Sequence, residues 1–244
     1  MNTPQITQII RRTDQGATRP LVCRADDGYV YYVKGHSAST GERIREWMGT
    51  HLAQAFGLPV PPMLLLEVSA TLLKSLDSET TRDLGKGYAV GSRQVQPVSE
   101  LRYDDIPLIP SSTQQAILLF DYWVQNEDRT LSALGGNPNL LLNKATSELF
   151  AIDYNLILPT AFDAALFWQT HVFRDALKQH IGQVQQQAFE RNMQCALSQW
   201  SQAWQQLPDD WLDENQSTGA FDDVTALQRL EHAQQGAIWR DFHP

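Results

Sequence analysis

The chain is short of cysteine, of clustered histidine and of positive charge, and each shortage removes a class of function. Its two cysteines, Cys23 and Cys195, belong to no CxxC or Cys/His arrangement. No disulfide scaffold is expected, and the pair reads as two buried or idle thiols in a reducing compartment. Six histidines are scattered with no HxxxH spacing, so no zinc site is expected. Lysine and arginine number 19 against 28 aspartates and glutamates, a net charge of −9. Non-specific nucleic-acid and anionic-membrane binding both rest on a positive field, so neither partner is expected. No apolar run reaches the roughly 18 residues of a membrane span, and MNTPQITQIIRRTDQG lacks the apolar core of a signal peptide. A cytoplasmic protein is the expectation. Neither a Walker A loop nor a G-x-G-x-x-G is present: GHSASTG lacks the Gly-Lys-Ser/Thr ending.

What is present is an ordinary globular composition, 42% hydrophobic and 19% charged, in a 244-residue chain long enough for one large domain or two lobes. QITQII (5–10), PLVCRA (20–25) and YVYYVK (29–34) read as strands separated by the turn signals TDQGAT and DDG. A helix is predicted over 40–56, ending at GLPVPP, and MLLLEV (63–68) follows it. A second apolar run, ATLLKSL, covers 70–76. The stretch 112–125, STQQAILLFDYWVQ, is helical by spacing, with an imperfect period. Beyond residue 153 the pattern is helical. There Phe189, Met193, Ala196, Leu197, Trp200, Trp204 and Leu207 form a stripe that reads as core. Strands first and helices later predict an α+β protein of two lobes. The boundary falls between 87 and 100, giving a β-rich N-lobe over 1–93 and a mainly helical C-lobe over 94–244.

One stretch concentrates polar groups. NEDRTLSALGGNPNLLL (126–142) sets an acid pair, an arginine and an Asn-Pro-Asn turn ahead of LLLN (140–143). LFAID (149–153) follows after the five-residue turn KATSE, and together these make a hairpin of usual dimensions. In an antiparallel hairpin the start of one strand lies beside the end of the other, so Asn139 is expected near Asp153, with Asn137 further out. An acid and an amide oxygen in that arrangement can hold Mg²⁺ when nucleotide phosphates supply the remaining ligands. Asp128, on the same loop, can orient or deprotonate an attacking hydroxyl, which is what phosphoryl transfer needs. The plain structural alternative is that Asn-Pro-Asn is only a turn, Asp128 a local cap and Asp153 a strand end.

Upstream, Lys34 closes the third strand. Ser39 and Glu42 have capping-box spacing, which occupies Glu42 with the start of the helix and leaves Glu46 one turn on. Ile44, Met48, Leu52 and Ala55 form one stripe of that helix; Glu46, Gly49, Ala53 and Phe56 form another. A buried glutamate needs a partner, and Lys34 is the obvious one, with pairing to Arg43 or Arg45 as the alternative. DQGAT (14–18), carrying Gly16 and Thr18, is the one candidate for a phosphate-covering turn.

YVYYVKG, GERIREWMGTHLAQAFGLPVPP, FDYWVQNEDRT, NPNLLL, FAIDY and LPDDW, in that order, make the chain resemble the HipA-like kinases over about residues 5–215. These are a bacterial branch of the two-lobed protein-kinase-like fold. The resemblance implies that Lys34 contacts nucleotide phosphates and Glu46 positions it. Asp128 matches the catalytic-loop acid of an N-x-D-R pattern, Asn137 or Asn139 the metal-binding asparagine, and Asp153 the second metal-binding acid. The adenine is expected against backbone groups near Tyr88–Val95, with Tyr88 and Val90 as contacts. ATP and Mg²⁺ are the implied cofactors. A protein serine or threonine, or the chain itself, is the implied acceptor, with a protein substrate or small companion protein as partner. An inactive nucleotide-binding or interaction module and a small-molecule kinase are the alternatives. Three departures stand out. LSALGG lengthens the loop between Thr130 and Asn137; Tyr-Asn follows Asp153, with no Ala-Pro-Glu beyond; and no counterpart of the extra N-terminal subdomain of toxin-type relatives is expected, so their substrate and antitoxin partner do not carry over.

Overall fold

The computed structural model describes residues 3–13, 19–178 and 181–241. In chain order these form β1 (Ile6–Arg12), β2 (Leu21–Ala25), β3 (Val30–Lys34), α1 (Thr40–Phe56), β4 (Met63–Val68), α2 (Ala70–Leu73) and α3 (Ser78–Leu84). Next come β5 (Gly87–Arg93), β6 (Ser99–Glu100), α4 (Ser111–Trp123), β7 (Leu140–Asn143), β8 (Glu148–Ala151) and α5 (Ala164–Thr170). Further α-helices among the described residues are α6 (Gln183–Ser198), α7 (Trp200–Gln205), α8 (Asp209–Thr218), α9 (Asp223–His232) and α10 (Ile238–Asp241). The chain divides into two compact units, neither of them continuous in sequence. One comprises Met1–Trp47, Pro61–Gln96 and Leu207–Phe221; the other comprises Met48–Val60, Pro97–Gln206 and Asp222–Pro244. Among the described residues no helix is long and apolar enough to cross a membrane.

The first unit is built on an antiparallel sheet of order β1-β2-β3-β5-β4. Alternate residues of its strands, among them Ile6, Leu21, Cys23, Tyr31, Val33, Leu66 and Ala89, point into one core. A parallel bridge between Gln5 and Glu67 ties the two edge strands at one end, so the sheet curls upon itself. The apolar run at 70–76 opens with the short helix α2, which Ser69 caps by accepting from Leu72 N at 3.2 Å.

The helix 40–56 forms where its spacing predicts. The capping box at its start is complete: Glu42 accepts from Ser39 N at 2.7 Å, and Ser39 Oγ accepts from Glu42 N at 3.3 Å. Its second half belongs to the other unit, where Gly49 faces Tyr154 so closely that a Cβ would lie 2.5 Å from the tyrosine's own. The small residue on that face permits the approach.

In the second unit α4 is buried on all sides from Ile117 to Val124. A helix enclosed all round needs no polar face, which is why its period reads as imperfect. Phe120 meets Phe56 at 5.2 Å and Tyr154 at 5.7 Å between ring centroids, and Trp123 donates to Leu230 O at 3.0 Å. The late stripe is only partly core. Phe189, Met193, Ala196, Trp200 and Leu207 are buried, while Leu197 and Trp204 are half-exposed and Ala203 takes the inward position. The stripe slips because the helix is interrupted at Gln199, which separates α6 from α7. β6, β7 and β8 form a small antiparallel sheet, with Leu140 opposite Ala151.

Candidate active site

In the first unit, Lys34 ends β3 and its Nζ lies 2.8 Å from Glu46 Oε2. Both side chains are largely withdrawn from solvent, at 11% and 5% exposure. Arg43 and Arg45 turn elsewhere, over the rings of Trp211 and Phe221. A buried ion pair is a weak stability device, so its position at a strand end calls for another purpose.

In the second unit the loop 126–139 folds back so that three of its side chains meet. Asp128 Oδ2 accepts from Asn137 Nδ2 and from Asn139 Nδ2, each at 2.9 Å. The six residues LSALGG do not disturb this. Ser132 and Gly135 exchange backbone hydrogen bonds at 3.0 Å, and Thr130 N donates to Asn137 O at 2.8 Å, so the insert closes as a tight turn with Leu134 fully exposed at its tip. Gly136, at φ +155°, makes the return, where a Cβ would lie 2.9 Å from Leu131 Cα.

The hairpin delivers Asp153 to the same place. Ile152 N donates to Asn139 O at 3.0 Å, as the strand register requires. β8 stops at Ala151, two residues earlier than the sequence suggests, because Asp153 leaves the strand with φ +61°. Asn139 is left-handed as well, at φ +48°. Asn and Asp enter this region more readily than other non-glycine residues, and such backbone gathers at functional sites. Asp128 titrates above the usual carboxylate range. Burial is the main cause, and the charge of Asp153 adds to it, while the amides of Asn139 and Asn137 pull the other way.

These features sit within a longer match: residues 6–242 fit the family model described as HipA-like kinase. The chain belongs to the HipA-like kinase family. No curated protein matches it significantly in sequence. Among solved structures, the Helicobacter pylori proinflammatory kinase CtkA is similar with a TM-score of 0.52 at 12% identity, over 95% of this chain and 99% of that one. At that identity the likeness speaks for the fold, which is protein-kinase-like. The Rio2 kinase of Chaetomium thermophilum, solved as an ADP/Mg²⁺-phosphoaspartate complex, reaches a TM-score of 0.35 at 12% identity, over 93% and 72% of the two chains. That superposition is too loose to bear on the fold.

Four residues of this HipA-like family member to which the sequence assigned no role of their own, Asp121, Asn126, Arg129 and His171, hold its loops in place. Asp121 and Arg129 are fully buried, with Arg129 Nε 2.6 Å from Asp121 Oδ2. Arg129 Nη1 reaches three backbone carbonyls, those of Asn139 at 2.5 Å and of Pro138 and Ile152 at 3.3 Å. One guanidinium therefore fixes both strands of the turn from which Asn139 and Asp153 project. His171 Nδ1 accepts from Phe173 N at 3.1 Å, so the proton sits on Nε2 and is donated to Asp121 at 3.1 Å. Asn126 completes the frame by donating to Asp121 Oδ1 at 2.9 Å and accepting from Asp128 N at 3.3 Å. A signal was present. Asp121 is the single charge in ILLFDYWV, and a carboxylate inside an apolar helix must be paired.

The remaining expectations divide. Tyr88 and Val90 lie inside β5. Val90 is flanked by Lys34 on one side and Leu65 on the other, so its peptide groups belong to the ladder and no adenine contact through them follows. Tyr88 is opposite Glu67. Gly16 and Thr18 lie outside the described residues. As for Mg²⁺, the donor set is one of hard oxygens. An ionised Asp128 only accepts, so the amide nitrogens of Asn137 and Asn139 must face it and their oxygens are turned away. Among the described residues no group of three or more His, Cys, Asp or Glu forms a metal cage. Asp153 and an asparagine oxygen fit an ion whose other ligands are phosphate oxygens and water.

Proposed function

We propose that this chain is an ATP- and Mg²⁺-dependent kinase that phosphorylates a serine or threonine hydroxyl of a protein, its own hydroxyls included. The observation that supports it most is the convergence of Asp128, Asn137 and Asn139 with an Asp153 close enough to raise the Asp128 pKa. Asp153 and Asn139 would hold the metal, which when bound neutralises charge on the phosphate oxygens. Lys34, aimed by Glu46, would contact the nucleotide phosphates. Asp128 would orient the acceptor hydroxyl and take its proton as the acceptor oxygen bonds to the γ-phosphorus and the bond to the β-phosphate oxygen breaks, releasing ADP. Arg129 would keep the metal-binding turn in register throughout.

The test is incubation with γ-labelled ATP and Mg²⁺, with and without cell lysate. Asp153→Asn is the informative variant, because asparagine tolerates the left-handed backbone at that position. Protein labelling is expected in the wild type and a loss of at least about 10²-fold, near 3 kcal/mol, in the variant. Absence of both labelling and Mg²⁺-dependent ATP binding would refute the proposal. Label appearing in metabolites alone would favour a small-molecule acceptor.

The two asparagines are expected to differ. Asn139 is buried and its carbonyl is held by Arg129 and Ile152, whereas Asn137 is exposed. Asn139→Gly, which keeps the left-handed backbone and removes only the amide, should raise the Mg²⁺ concentration needed for half-maximal transfer by about tenfold or more. Asn137→Ala should change it by less than about threefold. A magnesium titration of both variants reads the difference.

A further inference from the structure

The segment Leu207–Phe221 lies far along the chain from α1 yet belongs to the same compact unit as its first half. It holds that half from two sides. On one side, Arg43 is buried with its guanidinium 4.5 Å from the Trp211 ring, and Arg43 Nη2 lies 3.5 Å from Glu214. On the other side, Gly41 faces Ala220 so closely that a Cβ would sit 2.8 Å from its carbonyl oxygen, and Arg45 stacks 5.0 Å over Phe221. At about 100° per residue, positions 41 and 45 share a face and position 43 is roughly opposite. Contacts on opposite faces fix both the rotation of a helix and its lateral place. The grip is itself braced. The Asn215 side chain donates to Phe221 O at 2.9 Å and accepts from Phe221 N at 2.7 Å, closing the turn after α8.

Glu46 is the next residue beyond this grip, about 60° round the helix from Arg43. Its 2.8 Å contact with Lys34 depends on where α1 points it. We propose that segment 207–221 is a positioning device for the Lys34–Glu46 pair. Trp211 and Phe221, through Arg43 and Arg45, hold α1 in the rotation at which Glu46 meets Lys34. The purpose of the pair rests on the kinase reading; the mechanical claim does not.

Amine acylation followed by mass spectrometry of the intact, nucleotide-free chain tests this without any transfer assay. Lys34 is expected to label slowly in the wild type and at least about fivefold faster in Trp211→Ala, approaching its rate in Glu46→Gln. Lys144, paired with Asp105 in the other unit, serves as the internal reference and should keep its rate. Trp211→Phe, which preserves a ring under Arg43, should restore slow labelling. Arg45→Ala, at a half-exposed position that tolerates truncation, should speed Lys34 in the same direction by a smaller factor. Lys34 remaining as slow as in the wild type in both Trp211→Ala and Arg45→Ala overturns the proposal. So does Lys34 accelerating only in step with Lys144, the sign of general unfolding. A chain that transfers no phosphate but shows the expected labelling would sink the proposed function and leave this inference standing.

Discussion

Asp128→Asn is expected to leave a folded protein that binds Mg²⁺·ATP and transfers phosphate at least about 10²-fold more slowly, the range of a positioned general base. The amide keeps the shape of the side chain, and its oxygen can still accept from Asn137 and Asn139. Only the capacity to take a proton is lost. Stability should move the other way. Asp128 has a folded-state pKa above its ordinary value, raised by burial and by Asp153. Its favourable contribution is therefore fully present below the unfolded pKa and lost as the pH rises through the folded one. At neutral pH the ionised carboxylate is a cost to the fold, which asparagine removes. Thermal melting at pH 7 should find Asp128→Asn no less stable than the wild type, a trade of stability for activity common at active sites. A variant that melts well below the wild type, or one that retains full transfer, would remove Asp128 from the role assigned to it.

Legibility in the sequence followed the range of the interactions. The helix at 40–56 and strand β4 are written in local patterns, a capping box and a bounded apolar run, and the structure reproduces their bounds. The meeting of Asn139 with Asp153 was readable as well, because a hairpin is a local device whose register fixes which residues face each other. The pairing of Lys34 with Glu46 needed one further step, that a glutamate on a buried helix face must find a cation. What stayed hidden depends on contacts remote in the chain. His171 joins Asp121 from fifty residues away, and segment 207–221 reaches α1 from further still. No local period encodes either. The left-handed turns at Asn139 and Asp153 suit residue types that enter that region more readily than other non-glycine residues, but residue type alone does not say which Asn or Asp adopts it.

Arg129→Ala should be the most destabilising single change in this part of the molecule. It leaves Asp121 buried without its main counter-charge and releases the carbonyls of Asn139, Pro138 and Ile152. Breaking a buried pair by removing one partner costs about 3–5 kcal/mol, a large share of the 5–15 kcal/mol that typically holds a domain together. Urea unfolding monitored by tryptophan fluorescence would read the loss. The pair also predicts the pH response of the fold. Burial alone would raise the Asp121 pKa, but Arg129 and His171 reverse this and hold it below the usual range. Burial keeps His171 neutral, with a pKa below its ordinary value of 6.5. Both groups are depressed in the folded state, so both contribute stability that is present above their unfolded values and lost as the pH falls. His171 acts first, so the unfolding midpoint should begin to decline just below pH 6.5, and Asp121 extends the decline into the acid range. His171→Asn should flatten the first part of that curve and leave the second. Replacing both ionic partners, as Asp121→Asn with Arg129→Met, should recover much of the stability lost in Arg129→Ala, since a buried pair can often be exchanged for neutral groups at little cost. Transfer should not return with it. The methionine cannot bind three carbonyls, and without that bond the turn carrying Asn139 and Asp153 loses what holds it in shape.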